Sequence, residues 1–213
     1  MRQIDLENWP RRRQFSVFKT WAYPHFNMCA DIDMTSLRAF VKKQNTTFTV
    51  AIVYVLTRAA NNIPEFRTRI RGEVVVEHEI VHPSCTILVD GNQFSFCAFE
   101  YTEEFSLFAA KAAEQIDCVK ADPWISDDVK RDDLLYMTAI PWVSFTSFMH
   151  AINFPVDSMP RFAWGKFYED GESLKMPLSV QIHHALADGI HVGRFYEAVQ
   201  DHLSNPYSLL SVT

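Results

Sequence analysis

Three things are scarce in this chain of 213 residues: glycine, paired cysteines and long apolar runs. Glycine occurs only 6 times and the 10 prolines are spread out. There is no Gly/Ser-rich linker, internal repeat or low-complexity segment, so one domain spanning 1–213 is expected. No apolar run approaches the roughly 18 residues that a membrane helix needs. The opening MRQIDLENWPRRR has no apolar stretch like that of a signal peptide. The cysteines Cys29, Cys85, Cys97 and Cys118 form no CxxC pair, which speaks against a zinc knuckle or a dithiol redox site. Reduced thiols in a cytoplasm are the simplest reading. Basic charge is also short, with 20 Lys and Arg against 26 Asp and Glu for a net charge of -6. That argues against a nucleic-acid binder.

What is present is a globular composition, 48% hydrophobic and 14% aromatic, with ample material for a core. Residues 33 to 44 are predicted to be a helix with Asp33 as N-cap and Leu37, Phe40 and Val41 as its apolar stripe. Residues 49 to 62 read as a buried helix stopped by Pro64. RTRIRGEVVVE reads as a hairpin turning near Arg71-Gly72, and CTILVD and FSFCAFEY as strands. Residues 103 to 120 form an amphipathic helix with Thr102 as a possible cap. Strands are expected at 134–140, 145–150, 161–168 and 174–184, and a last helix from Ile190 to Leu203. Helices mixed with runs of consecutive strands give an α/β two-layer sandwich with a mixed, largely antiparallel sheet.

The stretch QIHHALADGIHVGRF, from Gln181 to Phe195, carries the densest chemistry. Strand alternation puts Leu178, Val180, Ile182 and His184 on one face and Ser179, Gln181 and His183 on the other. His184 thus leaves the apolar face at the strand's end, where partial burial favours the neutral imidazole of a general base. His183 reads as structural. Asp188 can cap the last helix or orient the histidine, provided a cation neutralises it. His183, His184, Asp188 and His191 are also a conceivable metal set, but adjacent strand histidines point apart and HExxH is absent, so no metal is expected. The GxSxG of a serine hydrolase is absent, and the cysteines read as core residues. A structural role for both histidines remains open on these grounds.

PLSVQIHHALADGIHVGRF, taken whole, resembles the signature of the chloramphenicol acetyltransferases. HHxxxDG by itself is shared by many coenzyme A-dependent acyltransferases and by peptide-synthetase condensation domains. ENWPRRRQF near the start and TAIPWVSFTSF from Thr138 to Phe148 resemble two further segments of the same family, in order and at fitting spacing. The resemblance implies acetyl-CoA as donor, a hydroxyl as acceptor, and direct attack in a ternary complex without an acyl-enzyme. It implies a homotrimer with active sites between subunits. His184 falls on the family's base, whose second ring nitrogen bonds its own backbone carbonyl. Asp188 falls on a structural aspartate paired with the arginine at Arg11. Thr138 falls on a serine that steadies the oxyanion.

For the acceptor pocket, the resemblance points to Phe18, Phe26, Phe94 and Phe148 as apolar walls. It also marks departures: Val17-Phe18 lacks the tyrosine hydroxyl of drug-inactivating members, Ala163 replaces a threonine, and His150 replaces a leucine. Trp142, Lys166 and Phe167 match the neighbourhood of the coenzyme A tunnel, although an exposed strand lysine beside a core aromatic would look the same. The expected activity is O-acetylation with weakened chloramphenicol recognition, or the same chemistry on another alcohol. Two rival readings are the core of a dihydrolipoyl acyltransferase, for which the chain lacks room for a lipoyl domain and linker, and a non-catalytic drug- or CoA-binding relative. Retention of His184, Asp188, Arg11 and a hydroxyl at Thr138 argues against the latter.

Overall fold

A seven-stranded sheet organises the chain, in the order β2-β10-β8-β7-β5-β6 with β9 pairing to β10. The computed structural model describes residues 1–44, 46–123, 131–152 and 157–210. The strands are β2 (His25–Asp33), β5 (His82–Val89), β6 (Gln93–Ala98), β7 (Leu134–Ile140), β8 (Arg161–Gly165), β9 (Tyr168–Asp170) and β10 (Ser173–His183). β5–β7 and β7–β8 run parallel, while the other pairs are antiparallel. The mixed α/β class with a largely antiparallel sheet is therefore as read from the sequence. A small sheet of β1 (Arg2–Gln3), β4 (Val74–Glu77) and β3 (Thr68–Arg71) lies apart in the pairing. Its β3–β4 turn places Gly72 at φ +60°, a left-handed backbone that a two-residue hairpin needs and glycine gives without strain.

The helices are α1 (Arg12–Phe18), α2 (Thr35–Lys43), α3 (Phe48–Asn61), α4 (Phe105–Ala121), α5 (Gly189–Ser204) and α6 (Pro206–Leu210). α3 begins where Thr47 accepts the Val50 amide, and its middle, Val50 to Thr57, is buried throughout. Leu178, Val180 and Ile182 of β10 join the α3 and α5 side chains in one core. The alternate residues Ser179, Gln181 and His183 are equally buried, but on the opposite face. There the segment around 148–150 covers them: Ser179 Oγ donates to the Phe148 carbonyl at 2.8 Å, and the His150 amide donates to Gln181 Oε1 at 2.8 Å.

Several boundaries differ from the sequence reading. Residues 145–150 form no strand, because side chains of β10, not a neighbouring strand, take up their backbone groups. Arg161 to Tyr168 is broken after Gly165. A Cβ at Gly165 would stand 2.7 Å from Pro177 Cγ and 2.8 Å from the Val143 carbonyl, so the chain passes there only as glycine. Met34, not Asp33, is the N-cap of α2; Asp33 accepts the Thr35 amide from one residue further out. Glu104, not Thr102, precedes α4.

Candidate active site

β10 ends at His183, and a tight turn follows, in which the Leu186 and Ala187 amides donate to the His183 carbonyl at 2.9 and 3.2 Å. His184 is the first residue of that turn. Its amide is fixed by the Pro24 carbonyl at 2.8 Å. Its Nδ1 lies 3.0 Å from the Ala187 carbonyl and 3.2 Å from Asp188 Oδ1. Two oxygens facing Nδ1 assign the proton to that nitrogen and leave Nε2 as the acceptor. The carbonyl set against Nδ1 is thus that of Ala187, whereas the family resemblance implied the carbonyl of His184 itself. The His184 carbonyl instead accepts from Arg11 Nη2 at 3.0 Å. Phe18 stacks on the imidazole with centroids 4.1 Å apart and planes 13° apart, and Phe26 approaches to 4.7 Å. The side chain remains about one-third exposed, at 34%, so a ligand can reach it.

Asp188 and Arg11 make a two-point ion pair. Arg11 Nη2 donates to Oδ1 at 2.9 Å and Nη1 donates to Oδ2. Arg11 is buried while Arg12 and Arg13 are exposed. The hydrogen bonds from Arg11 hold the Asp188 carboxyl below the usual carboxylate range. His183 points the other way. Its Nδ1 accepts the Ala185 amide at 3.1 Å, its ring meets that of His25 at 5.1 Å, and burial pushes it down to about 3. It is a neutral prop for the turn.

Thr138 lies elsewhere. It sits on β7 beside Ala163 of β8, which in turn pairs with Ser179, and it accepts from Thr86 Oγ1 at 3.3 Å. A cavity of about 610 Å³ opens there, lined by Thr138, Thr86, Phe94, Trp142, Thr49 and Lys120 among others. Phe94 and Trp142 are 62% and 66% exposed, large apolar surfaces left uncovered within one chain. His184 does not line this cavity. The candidate residues therefore form two groups: His184 with Phe18, Phe26, Asp188 and Arg11, and Thr138 with Phe94 and Trp142.

The remaining candidates border these groups. Ala163 is fully buried within the sheet. Phe148 packs against His150 at 4.9 Å, and burial, with Arg161 nearby, pushes His150 down to about 4. Lys166 is exposed, and its amide donates to the Val143 carbonyl at 2.9 Å. Phe167 is half-buried against the core, with the Arg38 guanidinium 5.2 Å above its ring. Among the described residues, no group of three or more His, Cys, Asp and Glu side chains is arranged to hold a metal ion. Among them, too, no helix is long and apolar enough to cross a membrane.

The mixed sheet brings the second histidine of HHxxxDG just past the end of its long strand, and the family match of the chain sets its class, the acyltransferases. A solved structure of dihydrolipoamide acetyltransferase from Azotobacter vinelandii has the same fold, with a TM-score of 0.68 at 19% identity over 94% of this chain and 88% of that one. The chain belongs to the chloramphenicol acetyltransferase family, whose profile matches residues 1–200. A chloramphenicol acetyltransferase from Escherichia coli is 31% identical over 93% of this chain and 92% of its own length. A solved chloramphenicol acetyltransferase superposes with a TM-score of 0.87 at 29% identity, covering 95% of this chain and 100% of that one. The chain is accordingly an acyltransferase.

Proposed function

We propose that the protein transfers the acetyl group of acetyl-CoA to the hydroxyl of chloramphenicol or a similar bulky alcohol. One observation carries this reading: His184 is held by its Nδ1 and stacked on Phe18, with its side chain still one-third exposed and Nε2 left as the acceptor nitrogen. Nε2 takes the proton of the acceptor hydroxyl as the oxygen attacks the thioester carbonyl. The tetrahedral oxyanion is stabilised by the Thr138 hydroxyl. Collapse breaks the C–S bond, and the imidazolium returns its proton to the departing thiolate. Arg11 and Asp188 keep the His184 turn in place throughout.

The separation of the His184 group from the Thr138 group supports a homotrimer in which each site is shared by two copies. Exposed Phe94 and Trp142 suit surfaces that a neighbour covers. Trp142, Lys166 and Phe167 are the proposed coenzyme A contacts, with Phe26, Phe148, His150 and Ala163 around the acceptor. Residues 1–213 act as a single cytoplasmic acyltransferase domain. The test mixes His184→Ala with Thr138→Ala protomers under conditions of subunit exchange and follows acetyl-CoA-dependent thiol release. Recovery of activity supports shared sites, and a fully active monomer by sedimentation refutes them. A different natural acceptor is a second reading, favoured by the missing hydroxyl at Phe18. A panel of alcohols in the same assay decides between the two.

A further inference from the structure

The aspartate beside His184 is held from a second side. While Arg11 occupies its carboxylate, its backbone N–H donates to Nδ1 of His191 at 2.8 Å. His191 is the third residue of α5 and is 9% exposed. Its Nε2 lies 3.3 Å from Oε1 of Glu65, on the 3₁₀ turn Pro64–Arg67 that follows α3. A side chain at this helical position that accepts the N-cap amide completes a capping box, a task usually given to Glu or Gln. A glutamate here would add a third carboxylate beside Asp188 and Glu65. A neutral imidazole accepts the same bond without the charge. Since Nδ1 accepts, the ring proton sits on Nε2 and points at Glu65.

We propose that Glu65 and His191 are a positioning pair for the acyl transfer. Glu65 selects the Nε2–H tautomer of His191. His191 then fixes the Asp188 amide, and with it the Ala187 and Asp188 oxygens that orient His184. Neither residue touches His184, so both act through Asp188, and the inference rests on His184 being the base. Protonation of His191 would set a hydrogen on Nδ1 against the Asp188 N–H and undo the cap. Burial, Arg11 and Arg194 oppose that protonation, while Glu65 and Asp188 favour it. The balance leaves His191 below the ordinary histidine range, so the pair is intact at neutral pH.

The test compares His191→Leu, which removes the acceptor, with His191→Gln, which restores an uncharged one. We expect kcat to fall about tenfold in His191→Leu, the effect of one mis-set hydrogen bond. KM for acetyl-CoA should stay unchanged, and His191→Gln should recover most of the loss. The acid limb of kcat should involve one proton fewer in His191→Gln than in the wild type. If His191→Leu does not fold, Glu65→Leu and Glu65→Gln carry the decision: the leucine variant should lose activity and the glutamine variant keep it. A second readout needs no turnover. The ¹⁵N imidazole shifts of His184 should report one tautomer in the wild type, a mixture in either leucine variant, and one tautomer again in His191→Gln. Unchanged kcat and unchanged His184 shifts in the leucine variants overturn the proposal. Full activity of His184→Ala would overturn the base assignment instead, while the shifts would still judge the pair.

Discussion

Replacing Asp188 by alanine should cost the fold more than the loss of one surface contact. Arg11, with a side chain only 9% exposed, keeps its bond to the His184 carbonyl but loses both carboxylate oxygens. Stranding one partner of a buried ion pair costs about 3–5 kcal/mol. Asp188 itself is 32% exposed, so the lower end, about 3 kcal/mol, is the expected value. For a chain of this size that corresponds to a fall in Tm of roughly 6–12 °C, at about 2–4 °C per kcal/mol. The pH dependence has a definite sign. The carboxyl is depressed in the folded chain, so its contribution is complete above the unfolded value of about 3.9 and is lost as pH falls below it. Thermal melts of wild type and Asp188→Ala at pH 7 and pH 3.5 give the comparison, and the gap between them should narrow in acid. A gap under about 1 °C at pH 7, or one that is the same at both pH values, would refute the reasoning.

Other perturbations test separate parts of the structure. Burial pushes His25 and His150 down to about 4 and His183 to about 3. Each stays neutral when folded but takes up a proton near 6.5 when unfolded, so stability should fall from about pH 6.5 downward, by about 2 kcal/mol per histidine at pH 5. A Tm that is flat between pH 7 and 4.5 would count against this. Gly165→Ala should lower stability by about 1–3 kcal/mol, because its methyl meets Pro177 and the Val143 carbonyl; denaturant melts would show it. Phe18→Tyr should lower KM for chloramphenicol about two- to tenfold, through one added hydrogen bond, with kcat little changed. An unchanged KM in steady-state kinetics would remove Phe18 from acceptor recognition.

Much of the architecture was legible because apolar spacing and burial coincide. Leu178, Val180 and Ile182 alternate with Ser179, Gln181 and His183, and the structure splits them between the helix-covered face and its reverse. β2 was not read from the sequence: Phe26, Met28, Ala30 and Ile32 alternate along it, but Met28 and Ala30 are exposed, so no continuous buried face marks the strand. The expected strand at 145–150 failed for a tertiary reason. Its run FTSFMH is rich in β-prone residues, yet the Ser179 and Gln181 side chains take up the Phe148 carbonyl and the His150 amide, so no ladder forms there. Asp33 looked like a cap by residue type, but the cap is set by where the backbone turns, which is Met34. At the candidate site, HHxxxDG pointed to His184 and Asp188. His191 was visible only as a third histidine in the motif. Its signal was its place three residues after Asp188, in the position of a capping box, and its partner Glu65 lies too far along the sequence for spacing to reveal. That His184 and Thr138 fall in separate groups could not be read from order along the chain.

The central claim, that His184 is the base for acetyl transfer, is tested most directly by acetyl-CoA-dependent thiol release from folded His184→Ala with a saturating alcohol acceptor. A positioned base is worth roughly 10²–10⁴-fold, so kcat should drop by at least about a hundredfold while coenzyme A binding and Tm stay near wild type. Turnover within about threefold of wild type would contradict the account.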